Sequence, residues 1–237
     1  SVIVAGILYG TVVSGGQAFV NLGLSLYQIS LFTLVFGLLL LPLVAFKRDY
    51  QFKGPMTGFF LIFGAVGAII HLAQFGAVIL GVPVAIVVLL MYTQPLWTLL
   101  FSRLLLHEKI TRHKIVAMTL VLAGMIIILD PFSQVTARSF SGLAAALIGG
   151  ISLSVWVVYG RKGGIREYPP VTTTCGFAVF SLLFLALSYP ALSLFVDDPS
   201  FMRISFNLPG ELWLYLFVFA LVSNLLPNTL FFYGVRR

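Results

Sequence analysis

The chain has 237 residues, of which 60% are hydrophobic and only 9% charged, and its net charge is +7. Soluble domains run at roughly 45–50% apolar and about 25% charged, so a water-soluble fold does not fit. The positive charge does not indicate nucleic acid, because the basic residues sit in short, separated breaks and form no contiguous face.

A helix needs about 20 apolar residues to cross the roughly 30 Å hydrocarbon layer of a membrane. Uncharged runs of that length fall at about residues 2–21, 27–46, 55–80, 83–106, 112–130, 141–160, 169–195 and 211–234, which predicts eight spanning helices. The runs lack the alternation of a membrane barrel, and unpaired backbone is not tolerated in lipid, so the expected fold is an all-α integral membrane bundle.

The first span has no basic leader and no clear cleavage site, and reads as a mature helix. Gly10, Ser14, Gln17 and Asn21 recur on one of its faces at helical spacing, and a polar stripe rarely faces lipid. Lys47, Arg48 and Lys53 follow the second span. The third carries a similar stripe, Gly67, His71 and Gln74. In the fourth, Tyr92, Thr93 and Gln94 precede Pro95, whose missing amide kinks the helix and frees a carbonyl deep in the span.

Arg103, Lys109, Arg112 and Lys114 surround the junction of the fourth and fifth spans, where Glu108 and Arg112 stand one turn apart as a candidate gate. Trp156 and Tyr159 give the sixth span an aromatic wall, and Arg161, Lys162 and Arg166 follow it. The one cysteine, Cys175, lies in the seventh, so no intrachain disulfide forms; metal-ligand and nucleophile spacings are absent, and neither metal nor cofactor is expected. On the eighth, Asn224 and Asn228 are one turn apart, with the kinking Pro227 between them and Arg236 and Arg237 beyond.

Twelve of the 14 basic residues thus fall on one side of the membrane, and Arg138 and Arg203 on the other. The positive-inside rule then places both ends in the cytoplasm, as in a bacterial inner-membrane protein. No acidic or basic residue occupies the middle of a span, which argues against a charged-ring channel or a carboxylate relay. The candidate substrate-binding groups are the neutral ones: Ser14, Gln17, Asn21, His71, Gln74, Tyr92, Gln94, Trp156, Tyr159, Asn224 and Asn228. A cavity of that kind suits neutral or zwitterionic solutes. Each side chain has an alternative reading as a bond between neighbouring helices, worth about 1 kcal/mol or less. His71 is either a proton-coupling group or a neutral imidazole bonded to Gln74 or to backbone.

The segment from Ala5 to Ala45 resembles that beginning at Ala145, with Gly10 over Gly150 and Ser14 over Ser154, and "HLAQFGAVILG" from His71 lies over "NLLPNTLFFYG" from Asn224. A unit of five helices would enter the membrane upside down in its second copy, giving the inverted repeat on which many transporters are built.

The stretch Val84 to Leu129, "VAIVVLLMYTQPLWTLLFSRLLLHEKITRHKIVAMTLVLAGMIIIL", resembles the end of an EamA-type repeat of the drug/metabolite transporter superfamily: a helix kinked at Pro95, a glutamate at Glu108, a short basic loop, and a helix bearing Ala123 and Gly124. The ending "LFFYGVRR" is similar to that family's junction before its ninth helix. The resemblance implies ten helices in two inverted halves, a central cavity, and export or exchange of small metabolites such as amino acids by alternating access. On this pattern residues 1–130 form the first repeat, 131–140 an external loop, and 141–237 a second repeat cut to three helices.

The expected function is therefore a secondary transporter and not an enzyme, acting with the bilayer and a small solute, with a second copy or a paralogue as candidate partner. The alternatives are a membrane-embedded lipid-modifying enzyme, which would need a catalytic set that His107, Glu108 and His113 do not convincingly form, and a non-transporting partner of a full-length paralogue.

Overall fold

Long uncharged stretches satisfy their backbone only within themselves, and the computed structural model resolves them into helices, with no strand among the described residues. Residues 2–47, 49, 51–52, 56–107, 110–129, 140–194 and 198–235 are described. The helices are α1 (Val2–Asn21), α2 (Leu26–Phe46), α3 (Thr57–Ile79), α4 (Val84–Leu106), α5 (Arg112–Leu129), α6 (Phe140–Ile165), α7 (Pro170–Ser193) and α8 (Gly210–Val235). All of these except α5 form a set of seven, among the described residues, that are long and apolar enough to span a membrane. This is an all-α integral membrane protein. Helix α5 occupies the fifth expected span with Arg112, His113 and Lys114 in its first turn.

Helix α3 is the most deeply buried of the seven and packs against α6 and α7, while α4 lies on α6, α1 on α8, and α2 between α7 and α8. Missing side chains make these approaches close. A Cβ added to Gly150 of α6 would stand 2.7 Å from the Leu90 carbonyl oxygen of α4, and one on Gly64 of α3 would stand 2.5 Å from the Phe180 backbone of α7. Aromatic rings fill the remaining space around α3, with Phe59, Phe60 and Phe63 buried beside Trp156, Phe177 and Phe232.

Among the described residues four spans depart from continuous α-helix: α1 at Gly10, α2 in a 3-10 turn over Leu38–Leu40, and α4 and α8 at breaks beside prolines. In α4 the α-helical pattern stops at Met91 and restarts at Gln94; Pro95 cannot donate to the Met91 carbonyl, and the neighbouring Leu90 carbonyl accepts from Thr93 Oγ1 at 2.7 Å. In α8 a π-helical turn runs over Leu221–Leu225, directly before Pro227, which lacks the amide that would bond the Ser223 carbonyl. Both breaks expose backbone and turn side chains out of simple helical register.

Between α7 and α8, Asp198 caps a one-turn helix, Pro199–Met202, by accepting from the Ser200 amide. The Ser200 hydroxyl and amide together hold the Asp198 carboxyl below its ordinary value of 3.8. The extended stretch after this turn is fastened to α2: Ser25 donates to the Arg203 carbonyl, and Gln28 Nε2 to the Ser205 carbonyl at 2.7 Å.

Candidate functional site

A cavity of about 320 Å³ lies where α1, α3, α4, α6 and α8 meet. Its size falls within the range of small-molecule pockets, roughly 300–1,000 Å³. Each helix contributes for a local reason. The inward face of α1 presents Tyr9, Val12 and Val13; α3 presents His71, Gln74 and Phe75; the break in α4 brings Tyr92 and Gln94; α6 supplies Leu153, Trp156 and Val157; and the π-turn of α8 turns Ser223 and Asn224 inward, followed by Asn228 and Phe231. Phe177 of α7, Thr33 of α2, Gly6 of α1 and Phe219 of α8 add to the lining.

The polar groups on the α8 side form a connected chain. Tyr9 Oη donates to Asn228 Oδ1 at 2.6 Å, Asn228 Nδ2 donates to Asn224 Oδ1, and Asn224 Nδ2 reaches the Thr33 carbonyl at 3.5 Å. Buried amides need such partners, because an unpaired one costs about 1–3 kcal/mol. On the α3 and α6 side the arrangement is different. His71 and Trp156 are buried, and neither His71 Nδ1 nor Trp156 Nε1 has a hydrogen-bond partner among the described residues. In α4, Gln94 Nε2 donates to Thr98 Oγ1 at 2.9 Å and Trp97 Nε1 to Thr93 Oγ1 at 3.2 Å, so the region of the break is braced by side chains.

Aromatic surface makes up much of the wall. Trp156 stacks on Phe231 with centroids 4.8 Å apart and meets Tyr9 edge-on at 6.1 Å. No Asp, Glu, Lys or Arg is found among the described residues that line the cavity. His71 and Asn224, which the expected sequence repeat would lay over one another, both line it.

Seven of the residues singled out from the sequence come together here: His71, Gln74, Tyr92, Gln94, Trp156, Asn224 and Asn228. Ser14, Gln17, Asn21 and Tyr159 do not line the cavity. Ser14 and Asn21 are exposed on the outer side of α1, where Gln17 Nε2 donates to Asn21 Oδ1 at 2.8 Å. Tyr159 stacks on Phe59 with centroids 5.7 Å apart, and the Lys162 ammonium stands 5.3 Å from its ring centroid. Arg112 is exposed at the start of α5, and Glu108 lies outside the described residues, so the proposed gate is not described. Pro95 and Pro227 sit at the two helix breaks.

Sequence reasoning did not find Tyr9, Thr33, Phe75, Phe219 or Ser223. The repeat held a signal for α1: a shift of about 140 residues lays Leu153 and Trp156 over Val13 and Gly16, which marks the apolar face as the inward one. Ser223 depends on the π-turn, which no helical periodicity anticipates.

A model of the EamA-like transporter family matches residues 1–130 of the chain. No curated protein and no solved structure matches it.

Proposed function

This chain belongs to the EamA-like transporter family, a family of drug/metabolite membrane transporters and not of enzymes, and we propose that it exports or exchanges small metabolites such as amino acids by alternating access. The observation that carries this reading is the cavity, lined among the described residues by neutral polar, aromatic and aliphatic groups and placed beside the breaks in α4 and α8. Broken helices at a central cavity leave backbone dipoles free to meet a solute, as in other secondary transporters. His71 and Asn224, paired by the repeat and both at the cavity, support two inverted halves exchanging conformations around one site. His71, Gln74, Tyr92, Gln94, Trp156, Asn224 and Asn228 are the proposed solute contacts. The one-sided distribution of basic residues supports a bacterial inner membrane with both ends cytoplasmic, and a second copy or a paralogue is the proposed partner.

The test is counterflow of a radiolabelled amino-acid mixture in liposomes containing the full chain. Saturable counterflow that falls in Gln74→Ala and Asn228→Ala, with both variants folded, is the expected result. Absence of any counterflow would remove the transporter mechanism proposed here, and counterflow unchanged in both variants would remove the cavity as its site.

A further inference from the structure

We infer that a second pocket, separate from the central cavity, is a binding site for a free zwitterionic amino acid with an apolar side chain. The pocket has a volume of about 430 Å³ and lies at the end of the bundle where α1 finishes and α2 and α8 begin. No residue lines both it and the central cavity, so the inference goes beyond the proposed function and is tested apart from it.

The pocket stands on a fastened frame. The link after α1 turns at Gly23, whose φ of +82° favours glycine. The stretch that follows the Pro199–Met202 turn is held by Ser25 on the Arg203 carbonyl, by Gln28 Nε2 on the Ser205 carbonyl at 2.7 Å and by Tyr189 Oη on the Met202 carbonyl at 3.0 Å. Groups fixed in place before a ligand arrives lower the ordering cost of binding it.

Charge gives the pocket its specificity. Arg203 and Glu211 both line it, and neither is ion-paired with the other or with any other described residue. Arg203 is also one of two basic residues, with Arg138, on the side that the expected topology leaves poor in cations. A guanidinium meets a carboxylate through paired N–H donors, and the Glu211 carboxylate accepts from an ammonium. One cation and one anion without partners in the same pocket match a solute that carries one of each.

The neutral groups agree with this assignment. Gln28 is 2% exposed and lines the pocket; with its Nε2 on the Ser205 carbonyl, its Oε1 has no partner among the described residues and is an acceptor for ammonium hydrogens. At the start of α8 the Gly210 and Glu211 amides have no intrahelical partner, and Pro209 at the cap supplies no side-chain bond, so this end favours the ligand's carboxylate. Leu22, Leu24, Leu208 and Leu212 make the rest of the wall apolar, which suits an aliphatic side chain.

The experiment is equilibrium dialysis of the detergent-solubilised full chain against radiolabelled leucine, with empty micelles subtracted. Leucinamide, which lacks the anion, and N-acetyl-leucine, which lacks the cation, serve as competitors. The expected result is saturable leucine binding, with a component for which each analogue competes at least about two- to five-fold less well than leucine itself. Arg203→Gln and Glu211→Gln should each weaken that component by about two- to five-fold, Arg203→Lys should retain most of it, and Asn228→Ala in the central cavity should leave it unchanged. Absence of saturable binding overturns the inference, as does equal competition by either analogue or leucine binding unchanged in a folded Arg203→Gln or Glu211→Gln protein. Both side chains are exposed, and either variant alone decides, so the test stands if one of them fails to fold. Counterflow in liposomes together with leucine binding indifferent to Arg203 and Glu211 overturns this inference and leaves the transporter reading intact. Leucine binding that depends on both charges, without counterflow, upholds the pocket and removes the transporter reading.

Discussion

The chain of hydrogen bonds from Tyr9 through Asn228 to Asn224 predicts a rank order of stability that can be worked out link by link. Tyr9 lies at one end, so Tyr9→Phe breaks a single bond, the one to Asn228 Oδ1 at 2.6 Å. A neutral hydrogen bond contributes about 0.5–1.5 kcal/mol net, and interhelical bonds in membranes average about 0.6 kcal/mol. Asn228 is the middle link; Asn228→Ala leaves the Tyr9 hydroxyl and Asn224 Oδ1 both without their partner. Its cost should be about 1–3 kcal/mol, the penalty for stranding buried polar groups. In the double variant the Tyr9 bond is lost only once, so the two changes should fall short of additive by about 0.5–1.5 kcal/mol. The assay is reversible unfolding in mixed micelles titrated with dodecyl sulfate, followed by tryptophan fluorescence. Strict additivity, or a larger cost for Tyr9→Phe than for Asn228→Ala, would refute a connected network.

Gly150→Leu should be far more damaging, because its Cβ, fixed by the α6 backbone, would stand 2.7 Å from the Leu90 carbonyl oxygen of the α4 backbone; loss of a monodisperse peak in size-exclusion chromatography is the readout. Pro95→Ala restores the amide that can bond the Met91 carbonyl and closes the break in α4. It should raise the unfolding midpoint while lowering counterflow, and a gain in both would show that the break does not serve transport. The cap at Asp198 predicts a pH effect of definite sign. Its carboxyl is held below 3.8 by Ser200, so the cap is intact above that value and is lost as pH falls through the lower folded value. Hydrogen exchange at the Ser200 amide, normalised for its intrinsic rate, should rise only in that acid window and should be insensitive to pH in Asp198→Asn.

The spans were legible in the sequence because the signal that defines them, about 20 uncharged residues, is the physical requirement for crossing lipid. Within the cavity, the residues on α3, α4 and α8 were legible for a related reason: His71, Gln94 and Asn224 are polar groups deep in apolar helices, where exposure to lipid is costly. The same reasoning picked out Ser14 and Asn21 on α1, yet α1 turns Tyr9, Val12 and Val13 inward, because its share of the wall is aromatic and apolar. Polarity alone cannot tell a helix face that lines a cavity from one that faces away from it. Tyr9 was hidden for a further reason. Its role comes from Asn228, 219 residues later in the chain, and no local spacing encodes that contact.

The claim that the cavity is the solute's path is tested most directly by filling it. Gly6 of α1 lines the cavity, and a Cβ added there meets nothing within 4 Å, so a side chain can start from this position without a backbone clash. Gly6→Trp should abolish counterflow in liposomes while leaving the unfolding midpoint in mixed micelles unchanged. Full counterflow by a folded Gly6→Trp protein would contradict the account, because the solute would then be crossing somewhere else.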